Sequence, residues 1–141
     1  NISFETITDY WKDTGTPEDI IHANGEILKK QFDDGKVSDK EEPDIICGEG
    51  SKIESNVHIH GPVLVGKNCH ISSSSIGPNV SVGNNTTISG SSIENSIIME
   101  NCEINSNTKI KNSIIANNSK IKDEEGIKKT FLLGEGSKVS L

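Results

Sequence analysis

An aliphatic residue or a cysteine returns every five or six positions across the second half of this chain. The leads are Cys47, Ile53, Ile59, Val65, Ile71, Ile76, Val82, Ile88, Ile93, Ile98, Ile104, Ile110, Ile115 and Ile121. Four residues after each lead but the last comes a second, mostly small or β-branched residue, such as Ser51, Val57, Cys69, Thr86 or Cys102. Helices repeat near 3.6 residues and strands at 2.0, so a sustained period of six belongs to neither. It marks an internal repeat, and repeats of this kind stack into solenoids.

Sorted in threes, the leads form columns. One holds Cys47, Val65, Val82, Ile98 and Ile115, the second Ile53, Ile71, Ile88, Ile104 and Ile121, and the third Ile59, Ile76, Ile93 and Ile110. Three short strands per coil make a three-sided prism, a rod about 20 Å long at ~4.8 Å per coil. The residues four after the third-column leads, Val63, Val80, Ile97 and Ile114, are expected to point inward. Corners are expected three residues after each lead, where Asn68, Asn79, Asn85, Asn101 and Asn118 stand beside Ser74, Ser91, Ser96 and Ser113. Asn tolerates the left-handed backbone that tight corners demand. Steps of five residues (71 to 76, 88 to 93, 93 to 98, 110 to 115) imply tighter corners there.

The repeat explains the composition. Only 31% of the 141 residues are hydrophobic and 4% aromatic. Alone, such values lean toward disorder. In a solenoid each coil needs few inward side chains, because its neighbours complete the burial. The net charge of -7 argues against a nucleic-acid or anionic-membrane partner. No apolar run nears the ~20 residues of a membrane span. The three cysteines all fall at inward positions. Cys69 and Cys102 share a column two coils apart, ~9.6 Å and beyond disulfide reach. Reduced, buried thiols and a cytoplasmic protein are expected.

Ahead of the repeat, Ile2–Ile7 alternates like a short strand. Thr16 reads as an N-cap, Pro17 suits the first helical position, and Glu18 and Asp19 suit the first turn. A helix is expected at about 17–31, weakened by ~1 kcal/mol at Gly25. Residues 33–44 are charged and read as a linker. Three parts result: 1–32, a residual strand and helix; 33–44, the linker; and 45–141, the prism with a tail, 126–141, that covers its last coil. The chain begins at Asn1 without an initiator Met and reads as a piece of something larger.

The motifs Val65-Gly-Lys-Asn-Cys69-His and Val82-Gly-Asn-Asn-Thr86-Thr resemble the bacterial transferase hexapeptide repeat. That resemblance implies an all-β fold, a single-stranded left-handed parallel β-helix; the hand comes from the family and not from the spacing. A second resemblance lies in Tyr10-Trp11-Lys12-Asp13-Thr14-Gly15-Thr16-Pro17-Glu18-Asp19-Ile20. The run is similar to the last segment of a sugar-phosphate nucleotidylyltransferase domain of the long-form glucose-1-phosphate thymidylyltransferase type. The ending Leu132–Leu141 is similar to that group's terminus. The resemblance implies that Trp11 lines a sugar pocket and that Asp13 is a metal carboxylate holding Mg²⁺ against the phosphates. It also implies that nucleotide and sugar phosphate are bound by a longer parent, whose Gly-rich nucleotide signature is not in this sequence. A lone carboxylate does not make a working Mg²⁺ site, so this chain is expected to be inactive by itself, to need no cofactor, and to serve oligomerisation or regulation. A homo-oligomer, trimer or higher, is expected.

Three other functions fit a hexapeptide prism. An acetyl-CoA-dependent acyltransferase would need a His base; His58, His60 and His70 are candidates, His70 the best. The commoner role of such a His is a plain face or turn residue. A zinc hydratase of the γ-carbonic anhydrase type needs three His at a spacing that these do not match. A purely structural, self-associating prism is compatible with the first reading.

Overall fold

The computed structural model describes Phe4 and residues 16–34, 45–122 and 138–140. Among the described residues a long helix, α1 (Pro17–Asp34), precedes fifteen short strands. All strand pairs are parallel and fall into three sheets, each made from every third strand along most of the chain. The first sheet holds β1 (Ile45–Cys47), β4 (Val63–Val65), β7 (Val80–Val82), β10 (Ser96–Ile98) and β13 (Ile114–Ile115). The second holds β2 (Lys52–Ile53), β5 (His70–Ser72), β8 (Thr87–Ser89), β11 (Glu103–Asn105), β14 (Lys120–Lys122) and β15 (Lys138–Ser140). The third holds β3 (His58–Ile59), β6 (Ser75–Ile76), β9 (Ser92–Glu94) and β12 (Lys109–Lys111). This is a β-solenoid of about five turns.

All three lead columns are observed in register. Val65 aligns with Val82, Ile98 and Ile115. Ile53, Ile71, Ile88, Ile104 and Ile121 align in the second sheet. Ile59, Ile76, Ile93 and Ile110 align in the third. From Val65 onward every lead is buried and belongs to one continuous core. The tail adds a strand, with Val139 opposite Ile121; the rest of its hexad, from Leu133, lies outside the described residues.

The small residue after each of the first four first-sheet leads has a defined task. Ser51 Oγ donates to the carbonyl of Gly66 at 2.5 Å, Cys69 Sγ to Gly83 at 3.0 Å, Thr86 Oγ1 to Met99 at 2.9 Å and Cys102 Sγ to Ala116 at 3.1 Å. Each bond reaches the next coil at the residue after its lead, so one corner carries a polar ladder inside an apolar core. Burial pushes the Cys69 and Cys102 thiols up, against a smaller opposing pull from neighbouring backbone groups. The glycine of the hexad is required by close stacking. A Cβ on Gly66 would lie 2.9 Å from the Asn84 backbone nitrogen, and one on Gly83 2.6 Å from the Met99 carbonyl carbon.

Three expectations need correction. Ile97 and Ile114 do not point inward. The register pairs Ile97 with Ser81 and Ser96 with Val80, so Ser96 takes the inward place. A five-residue step shifts side-chain parity by one, and a one-residue slip turns a side chain to the other face. Corners shift likewise. Asn68, Asn85, Asn101 and Asn118 are left-handed at the expected third position. In all four five-residue steps the left-handed residue is instead the second after the lead: Ser73, Gly90, Asn95 and Asn112. Finally, Cys47 is exposed. It lies in β1, the end strand of its sheet, which pairs only with β4, so no described coil covers it from below.

The outward Leu64, Ser81 and Ile97 are buried because α1 lies over the first sheet. Ile21 and Leu28 of the helix join Leu64, Ile97 and Phe4 in a second apolar cluster. Phe4 is helical where a strand was expected; the other residues of 2–7 lie outside the described residues. The helix begins with a reciprocal cap: the Asp19 amide donates to Thr16 Oγ1 at 3.1 Å, and the Thr16 amide to Asp19 Oδ2 at 3.3 Å. Such a box satisfies two otherwise orphaned N–H groups. The helix extends to Asp34, past the expected end at 31 and into the start of the expected linker. Of the linker, residues 35–44 lie outside the described residues.

Candidate functional site

Trp11 and Asp13, the residues tied by resemblance to a sugar pocket and to Mg²⁺, lie outside the described residues. The helix that follows them in the sequence is described. Thr16 caps a helix that is fixed to the prism by apolar contacts and by one buried polar pair. Ser81 Oγ donates to Asn24 Oδ1 at 2.5 Å, and both side chains are at most 1% exposed. The other end of the Asn24 amide reaches the Asn79 carbonyl at 3.5 Å. Leaving either partner unsatisfied would cost about 1–3 kcal/mol, so the pair sets the helix register on the sheet more strictly than apolar contact can.

The three candidate histidines do not converge. His58 is in β3 of the third sheet and His60 just follows that strand, while His70 is in β5 of the second. His70 Nε2 meets Glu54 Oε2 at 2.8 Å, and Lys52 Nζ lies 3.5 Å from the same oxygen. The hydrogen bond from His70 is the main reason that the Glu54 carboxyl is held below its usual range. Sequence reasoning singled out His70 but missed Glu54, which is 16 residues earlier and one coil below. The step between adjacent coils was the available signal. A carboxylate that orients an imidazole is a normal part of general-base sites, yet His70 stands half exposed on a sheet face.

Among the described residues, depressions lie on two sides of the prism. One, of about 580 Å³, runs over the third sheet past His58, Ser75, Ser92 and Lys109. The other, of about 480 Å³, lies between α1 and the corner formed by Asn79, Asn95 and Asn112. Neither contains His70. Among the described residues no three His, Cys, Asp or Glu side chains gather as a metal-binding group, and no helix is long and apolar enough to cross a membrane.

A triangular prism of parallel strands with hexad glycines and small-residue ladders defines a β-helix domain of the hexapeptide class. The comparisons make this particular. The family model described as the EIF2B subunit epsilon left-handed β-helix domain matches residues 40–141, and the chain belongs to that family. The chain is also 33% identical over 85 residues to glucose-1-phosphate thymidylyltransferase of Streptomyces antibioticus, a match covering 57% of this chain and 24% of that protein. The enzyme of the same name from Streptomyces griseus is 29% identical over 79 residues, covering 53% of this chain and 22% of its own. The chain thus spans about a quarter of the length of these relatives.

Proposed function

We propose that this chain is the β-helix part of a sugar-phosphate nucleotidyltransferase of the glucose-1-phosphate thymidylyltransferase kind, and that it serves self-association or regulation while the chemistry is done elsewhere in a longer protein. The observation that carries this reading is the 33% identity to a thymidylyltransferase over 85 residues. The family model supports the assembly role, since its description is of a subunit's domain. In the parent, Mg²⁺ would neutralise phosphate charge. Asp13 is the residue of this chain that would help hold it, with Trp11 beside the sugar. Nucleotide and sugar phosphate are then partners of the parent, not of this chain, and the buried reduced thiols suit a cytoplasmic setting.

Two measurements on the 141-residue chain test the reading. Light scattering after size exclusion is expected to give a trimer or larger; a monomer at about 100 μM, where a stable interface would be saturated, overturns self-association. An assay with dTTP, glucose 1-phosphate and Mg²⁺ is expected to show no nucleotide sugar, and turnover would refute the division of labour. The second reading, acyl transfer from acetyl-CoA, rests on the His70–Glu54 pair. Calorimetry with acetyl-CoA discriminates: no heat at millimolar ligand retires it.

A further inference from the structure

Gly25 sits in the middle of α1 and no contact demands it. Glycine weakens a helix interior relative to alanine. Helical glycines normally earn their place by close packing, but among the described residues a Cβ here would meet nothing nearer than 3.7 Å, the Cγ of Asn79. That is ordinary contact. Gly25 also has no positive φ. A local rule broken without packing compensation is expected at functional positions. Gly25 lines the groove of about 480 Å³ between helix and prism.

The opposite wall is a stack of carboxamides. Asn79, Asn95 and Asn112 stand on successive coils, each with a left-handed backbone. Asn95 Nδ2 donates to Asn112 Oδ1 at 2.5 Å, and among the described residues the Asn95 carbonyl oxygen and the Asn112 amino group have no further partner and can bond a ligand. The Asn79 side chain has no hydrogen-bond partner among the described residues. The helix wall adds the carboxylates of Glu18 and Glu26, the Lys29 ammonium and His22, which lies 3.8 Å from Glu26. Ile21 supplies an apolar floor. Alternating amide donors and acceptors beside carboxylates match vicinal hydroxyl groups. Two carboxylates against one ammonium disfavour an anion. The volume lies within the ~300–1,000 Å³ of small-molecule sites.

We propose that this groove binds a polyhydroxylated molecule of monosaccharide size, uncharged or cationic, and that Gly25 is retained to keep it open. The proposal does not depend on the nucleotidyltransferase reading.

The test is amide NMR of the isotopically labelled 141-residue chain, titrated with glucose, glucosamine and glucose 1-phosphate. Millimolar dissociation constants are expected for ligands of about a dozen heavy atoms. Glucose and glucosamine should shift the Gly25 amide and the side-chain amides of Asn79, Asn95 and Asn112. Glucosamine should bind more tightly than glucose, and glucose 1-phosphate more weakly. Gly25→Ala should fold with a more stable helix and lose about tenfold or more in affinity, the scale of one misplaced methyl in a fitted site. Glu26→Gln should remove most of glucosamine's advantage. No shift with either sugar at about 50 mM, far above such constants, overturns the proposal. So do shifts confined to other surfaces, or a folded Gly25→Ala chain that binds as tightly as the native one.

Discussion

Truncating Ile97 to alanine should release the helix and spare the prism. Ile97 is fully buried, yet it faces α1 and not the core, while its neighbour Ile98 stacks between Val82 and Ile115. Large-to-small changes at such sites cost about 2–5 kcal/mol. The helix has little to spare. At 18 residues with an interior glycine, it would be marginal alone in water, so docking holds it. A loss of 2–5 kcal/mol raises the open population roughly 30- to 5,000-fold. Because solenoid coils depend mainly on their nearest neighbours, the opening should not spread through the sheets. Hydrogen exchange read by mass spectrometry checks this. Peptides from 17–34 should lose protection in Ile97→Ala, while those from 65–121 keep theirs. Ile98→Ala should do the reverse, exposing the strands of its own and adjacent coils first. If Ile97→Ala loosens the strands and leaves helix protection unchanged, the outward assignment of Ile97 is wrong.

Other outcomes follow from the interior ladder and the surface pair. Thr86 Oγ1 donates to the Met99 carbonyl and accepts from the Cys102 amide at 3.3 Å; Thr86→Val removes both bonds at nearly constant volume and should cost about 1–3 kcal/mol in urea melts, whereas Thr86→Cys, the residue used at 69 and 102, should cost less. In the native protein a thiol reagent should modify Cys47 quickly and Cys69 and Cys102 at least about a hundredfold more slowly, since burial raises all three thiols but only Cys47 is exposed to the reagent; equal rates would contradict the ladder. The Glu54 carboxyl is held below its usual range by His70, so its stabilising contribution is present above the ordinary carboxylate pKa of ~4.3 and lost as pH falls through the depressed folded value. Glu54→Gln should therefore flatten the melting temperature across that acid window and leave it unchanged in shape elsewhere.

The lead columns were legible because spacing alone specifies a stack. Each aliphatic residue recurs at the interval that returns the chain to the same face, and all three alignments follow from counting. Parity within a strand was less legible. A five-residue step still brings its lead back to the core, but it shortens the corner, so the residue before the lead turns outward. Counting four from Ile93 therefore reached Ile97, when the inward residue was Ser96. The sequence did hold a corrective signal. Val63-Leu64-Val65 and Ile97-Ile98 are consecutive apolar residues, whereas the other faces alternate, as in Lys109-Ile110-Lys111 and Lys120-Ile121-Lys122. Strands covered on both faces lose alternation, so these runs mark the sheet that the helix covers. Glu54 and Asn24 were harder to find. Their partners are 16 and 57 residues away, and a lone polar residue has no periodicity to reveal its contact.

The covered sheet also limits how copies of the chain can associate. A bare triangular prism offers three comparable faces, but here one is occupied by α1, with Leu64, Ser81 and Ile97 buried beneath it. Among the described residues, self-association would have to use the second sheet, the third sheet or an end of the stack. The second sheet's outward row runs Lys52, His70, Thr87, Glu103 and Lys120. Long charged side chains lose rotamer freedom and hydration when an interface closes over them. The third sheet's row runs His58, Ser75, Ser92 and Lys109, short in the middle and charged only toward its ends. Close approach of a second backbone is easier there. An arginine at Ser92 should therefore weaken assembly more than an arginine at Thr87, although both positions face outward near the middle of the rod. Equal effects, or none, in light scattering would move the contact to the ends of the stack, where Cys47 is exposed and a disulfide between copies would report it directly.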